Sequence, residues 1–178
     1  ALREEHSQLF LHSSLKQIHL EQLKLLSPLL LQHLPATLCK LKISHTAFES
    51  NEVHLLNSQQ LQAVELTHCS LTSFELLDNP ATIEKLNLSG NSLRKFPSEN
   101  NHNSSLLSLD LSDNGLLQLP LEWLASLAKL QFLNLSHNKF KTLSLPQLIL
   151  LPSQHIDLRY NQLMALRDAS NRSARPQD

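Results

Sequence analysis

The sequence predicts an α/β solenoid: short coils stacked side by side, each giving one strand to a single parallel sheet. Three observations carry this. First, 45 of the 178 residues are Leu, while only two are Gly and aromatics make up 4%. One side chain is being reused at equivalent places, which calls for a repeat search. Second, the frame Leu-x-x-Leu-x-Leu-x-x-Asn-x-Leu occurs seven times, starting at residues 15, 38, 61, 83, 106, 130 and 153. Third, the starts are 22 to 24 residues apart, too short a period for anything but a coil that stacks on its neighbours.

The frame explains each element of a coil in turn. Its fourth and sixth positions are apolar with a polar residue between them, the two-residue period of a half-buried strand. The next apolar position comes five residues later, so the chain turns inward between them. An Asn at the ninth position can satisfy backbone groups that no strand partner reaches. Along the chain that column reads Leu23, Thr46, Cys69, Asn91, Asn114, Asn138 and Asn161. Thr46 and Cys69 are small, weakly hydrogen-bonding substitutes. Leu23 cannot do the job, so the first coil is expected to be irregular. The back halves vary in sequence, and Leu121 to Lys129 has room for about two helical turns.

The clearest copies read I-E-K-L-N-L-S-G-N-S-L from Ile83, L-L-S-L-D-L-S-D-N-G-L from Leu106 and L-Q-F-L-N-L-S-H-N-K-F from Leu130. On these motifs the chain resembles the leucine-rich repeat family over nearly its whole length. The resemblance implies a right-handed curved coil with the parallel sheet on its concave face. Its backs would be mostly coil or short helical turns. It also implies that the concave face binds proteins.

Three segments are expected. Residues 1–14 read as the rear half of an earlier repeat or a flank, because Leu9 and Leu11 match the back-face positions Leu148 and Leu150. Residues 15–166 form the repeat domain. Residues 167–178 hold three Arg, a late Pro176 and no large apolar side chain, as a polar tail or linker does. The first residue is Ala rather than Met, and no polar cap precedes the first coil. The open first strand is therefore expected to meet further repeats or another subunit.

Composition excludes several functions. The formal charge is -1, and no Lys/Arg stripe is interleaved with aromatics, so nucleic acid has no support. Two glycines leave no phosphate-binding loop. No apolar run approaches the roughly 18 residues of a membrane span. The ten His form no metal or catalytic signature, and the two Cys are 30 residues apart without a C-x-x-C. No catalytic residues, metal or cofactor are therefore expected.

Candidate binding residues are the outward frame positions: second, third, fifth, seventh and eighth. In the N-terminal coils they include Lys16, His19, Lys40, Lys42, His45, Glu65 and His68. In the C-terminal coils they include Leu107, Asp110, Asp113, Phe132, Asn134, His137, His155, Asp157, Arg159 and Tyr160. Leu107, Phe132 and Tyr160 stand out as apolar side chains assigned to solvent, as interface anchors are. His45, His68 and His137 share the eighth position, which suggests a pH-sensitive face. Asn-x-Ser sequons fall at Asn87, Asn103, Asn134 and Asn171. They favour a secretory or cell-surface setting, whereas the lack of clustered cysteine caps points the other way.

The expected function is a non-catalytic protein–protein interaction module, part of a larger receptor, adaptor or complex subunit. Two rivals stand beside it. In one, the repeats select substrates for a catalytic domain outside this chain; in the other, the coil is a structural subunit packed inside an assembly.

Overall fold

The computed structural model describes residues 14–55, 60–76, 82–94, 105–118, 121–144, 149 and 153–167. Seven strands form one parallel sheet: β1 (Gln17–Glu21), β2 (Lys40–Ser44), β4 (Ala63–Thr67), β6 (Lys85–Asn87), β7 (Ser108–Asp110), β8 (Phe132–Asn134) and β10 (His155–Asp157). Their spatial order is their chain order, one strand per frame. The register is the frame's own: Leu41 pairs with Val64, Leu86 with Leu109, and Leu133 with Ile156.

The strands are short because only a few residues per coil alternate. Within β2, Leu41 and Ile43 are buried while Lys40 and Lys42 are half-exposed. The same alternation buries Val64 and Leu66, Leu109 and Leu111, Leu133 and Leu135. Leu71, Leu93, Leu116 and Phe140, the frame's last apolar column, close the core from the other side. Each buried Leu contributes roughly 1.5–3 kcal/mol relative to exposure, so the repeated column rather than any single contact holds the coil.

Where each strand ends, the backbone turns left-handed. The eighth frame position has φ between 48° and 68° in every coil: Gln22, His45, His68, Gly90, Asp113, His137 and Tyr160. This is a uniform backbone requirement met by five residue types. The ninth position then bonds inward. Asn138 Nδ2 donates to the carbonyls of Leu111 at 2.8 Å and of Leu135 and Ser136 at 3.2 Å, and its Oδ1 accepts from the Leu116 N–H at 3.1 Å. Asn114 and Asn161 repeat the pattern, and the Asn91 Oδ1 accepts from both Cys69 N–H and Leu71 N–H.

The substitutes work less fully. Thr46 donates to the Ser44 carbonyl at 2.9 Å and accepts from the Leu23 N–H at 3.2 Å. The Cys69 thiol lies 3.2 Å from the Thr67 carbonyl. Leu23 packs against the core and offers no such bond. The irregularity of the first coil lies in its turn, since β1 pairs with β2 along its full length. Leu25, at the frame's last apolar position, is exposed, and Leu26 takes the core place, bridging to Phe48.

The helix α1 covers Leu121–Ser126, within the segment expected to carry about two turns; the chain turns after it, and Leu127 and Leu130 enter the core. The backs differ from expectation in adding two small parallel sheets, β3 (Glu52–Leu55) with β5 (Ser73–Leu76) and β9 (Thr142–Ser144) with β11 (Ala165–Arg167). Arg167, assigned to the tail by sequence, ends β11. A 3-10 turn at Pro28–Gln32 buries Leu30 and Leu31 behind the first coil. Leu9, Leu11, Leu148, Leu150, Asn103, Asn171 and residues 168–178 lie outside the described residues. No helix among the described residues is long and apolar enough to cross a membrane.

Candidate binding face

The strand face is a grid of seven strands by five outward columns. The fifth column reads His19, Lys42, Glu65, Asn87, Asp110, Asn134 and Asp157. Its last four members have a local task. Each side-chain oxygen accepts the N–H two residues on, closing the strand end: Asn87 from Ser89 at 2.9 Å, Asp110 from Ser112 at 2.9 Å, Asn134 from Ser136 at 3.1 Å and Asp157 from Arg159 at 3.0 Å. Asp110, Asn134 and Asp157 are therefore turn-capping residues as well as surface residues. The signal Asn/Asp-x-Ser is present in three of the four coils, and its two Asn copies, Asn87 and Asn134, also read as glycosylation sequons. A glycan on Asn134 would use the nitrogen that donates to Asp110 Oδ2 at 3.2 Å.

Charge is divided along the face. In the N-terminal coils Glu65 lies between Lys40 Nζ at 3.0 Å and Lys42 Nζ at 3.4 Å. Partial burial raises the Glu65 pKa, but hydrogen bonds and charge from Lys40 and Lys42 outweigh this and hold it below its ordinary value. Exposed pairs of this kind add at most about 1 kcal/mol each. In the C-terminal coils Asp157 is gripped by Arg159, with Nε 3.0 Å from Oδ1 and Nη2 2.7 Å from Oδ2. Those hydrogen bonds, with the guanidinium charge, bring the Asp157 carboxyl down to about 2. Asp113 is exposed, and its carboxylate has no ion pair or hydrogen bond among the described residues.

Rings collect in stacked pairs. His45 and His68, on neighbouring coils, have centroids 4.7 Å apart and planes 5° apart. Phe132 stacks on His155 at 5.1 Å, and His137 on Tyr160 at 4.3 Å. Phe132 is 49% exposed and Tyr160 71%. Leu107 is half-buried, as are Lys42 and Asp110, and its carbonyl accepts the N–H groups of both Gln131 and Phe132. It lacks the exposure of Phe132 and Tyr160.

The cysteines take no part on this face. Cys39 is half-buried, Cys69 is buried, and both are free. Burial pushes the Cys69 thiol above its ordinary pKa, despite a bond from the Thr46 backbone that lowers it. Among the described residues no group of three or more His, Cys, Asp or Glu could hold a metal ion.

Fold and face together define a parallel β-solenoid that displays a rigid, patterned sheet surface. The leucine rich repeat family model matches residues 81–140 and again residues 104–163. Receptor-like protein 49 of Arabidopsis thaliana is 43% identical over 61 residues, which cover 34% of this chain and 7% of that protein. These matches support a leucine-rich repeat family for this chain. Leucine-rich repeats usually bind proteins, so the repeats suggest a protein-interaction module.

Proposed function

We propose that this chain is a non-catalytic recognition module that binds a protein partner through its concave strand face, within a larger receptor-like protein. The observation that carries the reading is the exposure of Phe132 and Tyr160 on a face whose other outward positions are mostly polar. Each ring is steadied by a histidine beneath it, so little side-chain freedom is lost on docking. The bonded strand ends hold the surrounding polar groups in place. Aromatic anchors ringed by polar groups are how protein interfaces concentrate affinity.

The test is affinity purification with mass spectrometry, comparing wild type with Phe132→Ala/Tyr160→Ala. Loss of a reproducible partner with an unchanged melting temperature supports the reading. An unchanged partner set with a large loss of stability refutes it.

A structural role draws support from a separate place. Leu15, Leu25 and Leu29 are each 40–42% exposed near the first coil, where a neighbouring subunit or further repeats would pack. A monodisperse monomer in light scattering would count against that role.

A further inference from the structure

The outward columns differ in charge from end to end. In the first three coils they hold Lys16, Lys40 and Lys42 against Glu21 and Glu65. In the last three they hold Asp110, Asp113 and Asp157 against Arg159 alone. Phe132 and Tyr160, the exposed aromatics among the described residues, sit at this acidic end. The two ring stacks bracket Asp157: Phe132–His155 lies at the start of β8 and β10, and His137–Tyr160 just beyond their ends.

One guanidinium already lies here. Arg159 is 77% exposed, is two residues from Asp157, and meets that carboxylate through two nitrogens. Such planar two-point pairing beside aromatic faces is what arginine does and lysine cannot. Asp113, in the same column as His137 and Tyr160, is left for a cation from outside.

We infer that the partner engages the last three coils with an extended, arginine-bearing segment, one guanidinium group meeting Asp157 between the two ring stacks and another meeting Asp113 on the coil beside His137. This rests on the strand-face reading above. Arg159 is then an internal competitor for Asp157. The lysines of the first coils repel the same segment, which fixes the end at which it docks.

The probe is a fluorescein-labelled nonapeptide of alternating Arg and Ser, with Lys, citrulline and Glu versions, added to the full 178-residue chain and followed by anisotropy. The Arg peptide is expected to bind at least about threefold more tightly than the Lys peptide, and the citrulline and Glu peptides at least about tenfold more weakly. Phe132→Ala/Tyr160→Ala should weaken it about tenfold, and Asp113→Asn about threefold. Arg159→Gln should strengthen it, because Asp157 is released. A melting curve confirms that each variant folds. Equal binding of the citrulline or Glu peptide overturns the inference, as does indifference to the aromatic pair or weakening by Arg159→Gln. A natural partner that is lost with Phe132→Ala/Tyr160→Ala but is not displaced by the Arg peptide leaves the strand-face reading standing and sinks this one. A partner indifferent to both removes both.

Discussion

The imidazole of His68 lies across Gly90 of the next coil, in the space where any other residue would place its Cβ. The same ring stacks on His45 from the coil before, so the two histidines and the glycine form one file along the strand ends. Gly90 is the one glycine in a column that is left-handed in all seven coils, with φ 68°. Its neighbours in that column show that the backbone alone does not demand glycine there. The ring does.

A substitution series separates the two effects. Gly90→Ala is expected to destabilise by about 1–2 kcal/mol from the left-handed backbone alone, with more from displacing the His68 ring. In a His68→Ala background only the backbone part should remain. Urea denaturation of the two single variants and the double variant reads the difference. An identical cost in both backgrounds would mean that the ring moves aside freely.

The buried ladder gives a second comparison. Asn138→Ala removes four hydrogen bonds and leaves the Leu116 N–H and the Leu111 carbonyl without that partner in the core. A loss of about 2–4 kcal/mol is expected. Cys69→Ala should cost less, because the thiol makes weak contacts with the Ile43 and Thr67 carbonyls. Cys69→Asn should stabilise, since an amide there has both a donor and an acceptor to offer. Midpoints ordered otherwise would mean that the column is held by packing rather than by hydrogen bonds.

How much of this was legible depends on how local the cause is. The Leu pairs of each strand and Asn91, Asn114, Asn138 and Asn161 could be read directly, because side-chain period and hydrogen-bonding chemistry are properties of the frame. The left-handed column was not read. Gln22, His45, Asp113 and Tyr160 share a backbone state but no composition. Leu26 displaced Leu25 from the core because a run of leucines carries no register. The back sheets were missed for a different reason: Glu52–Leu55 and Ser73–Leu76 become strands only when their coils are stacked. On the face, the polar-outward rule placed Phe132 and Tyr160 in solvent, where they are. It could not see the histidine under each ring, nor that Leu107 would be half-covered.

Asp157 offers a pH test with a definite sign. Its carboxyl is lowered from an ordinary 3.8 to about 2, chiefly by the Arg159 hydrogen bonds. A lowered carboxyl pKa means that the charged pair is fully formed above about pH 4 and is lost as pH falls through about 2. The carboxyl carbon of Asp157 should therefore titrate in NMR near 2 in the wild type. In Arg159→Gln it should move up toward the ordinary value. A midpoint near 3.8 in the unaltered chain would show that the guanidinium does not hold the carboxylate in solution.

Tyr160 joins the fold to the proposed binding face. It is a bulky side chain in the left-handed region, φ 58°, where residues without short polar side chains are rarely found. The His137 ring, 4.3 Å away, is the contact that offsets this strain. Tyr160→Gly relieves the backbone while removing the exposed ring. Stability is expected to stay level or rise by about 1 kcal/mol, within the range for removing such strain. Binding of a strand-face partner should fall at the same time. His137→Ala is the complementary variant: it keeps the Tyr160 ring but removes its support, so stability should fall slightly and binding should weaken less than in Tyr160→Gly. Thermal melting and partner binding measured on both variants decide the matter. If Tyr160→Gly is strongly destabilising, Tyr160 is held for the fold rather than for a partner.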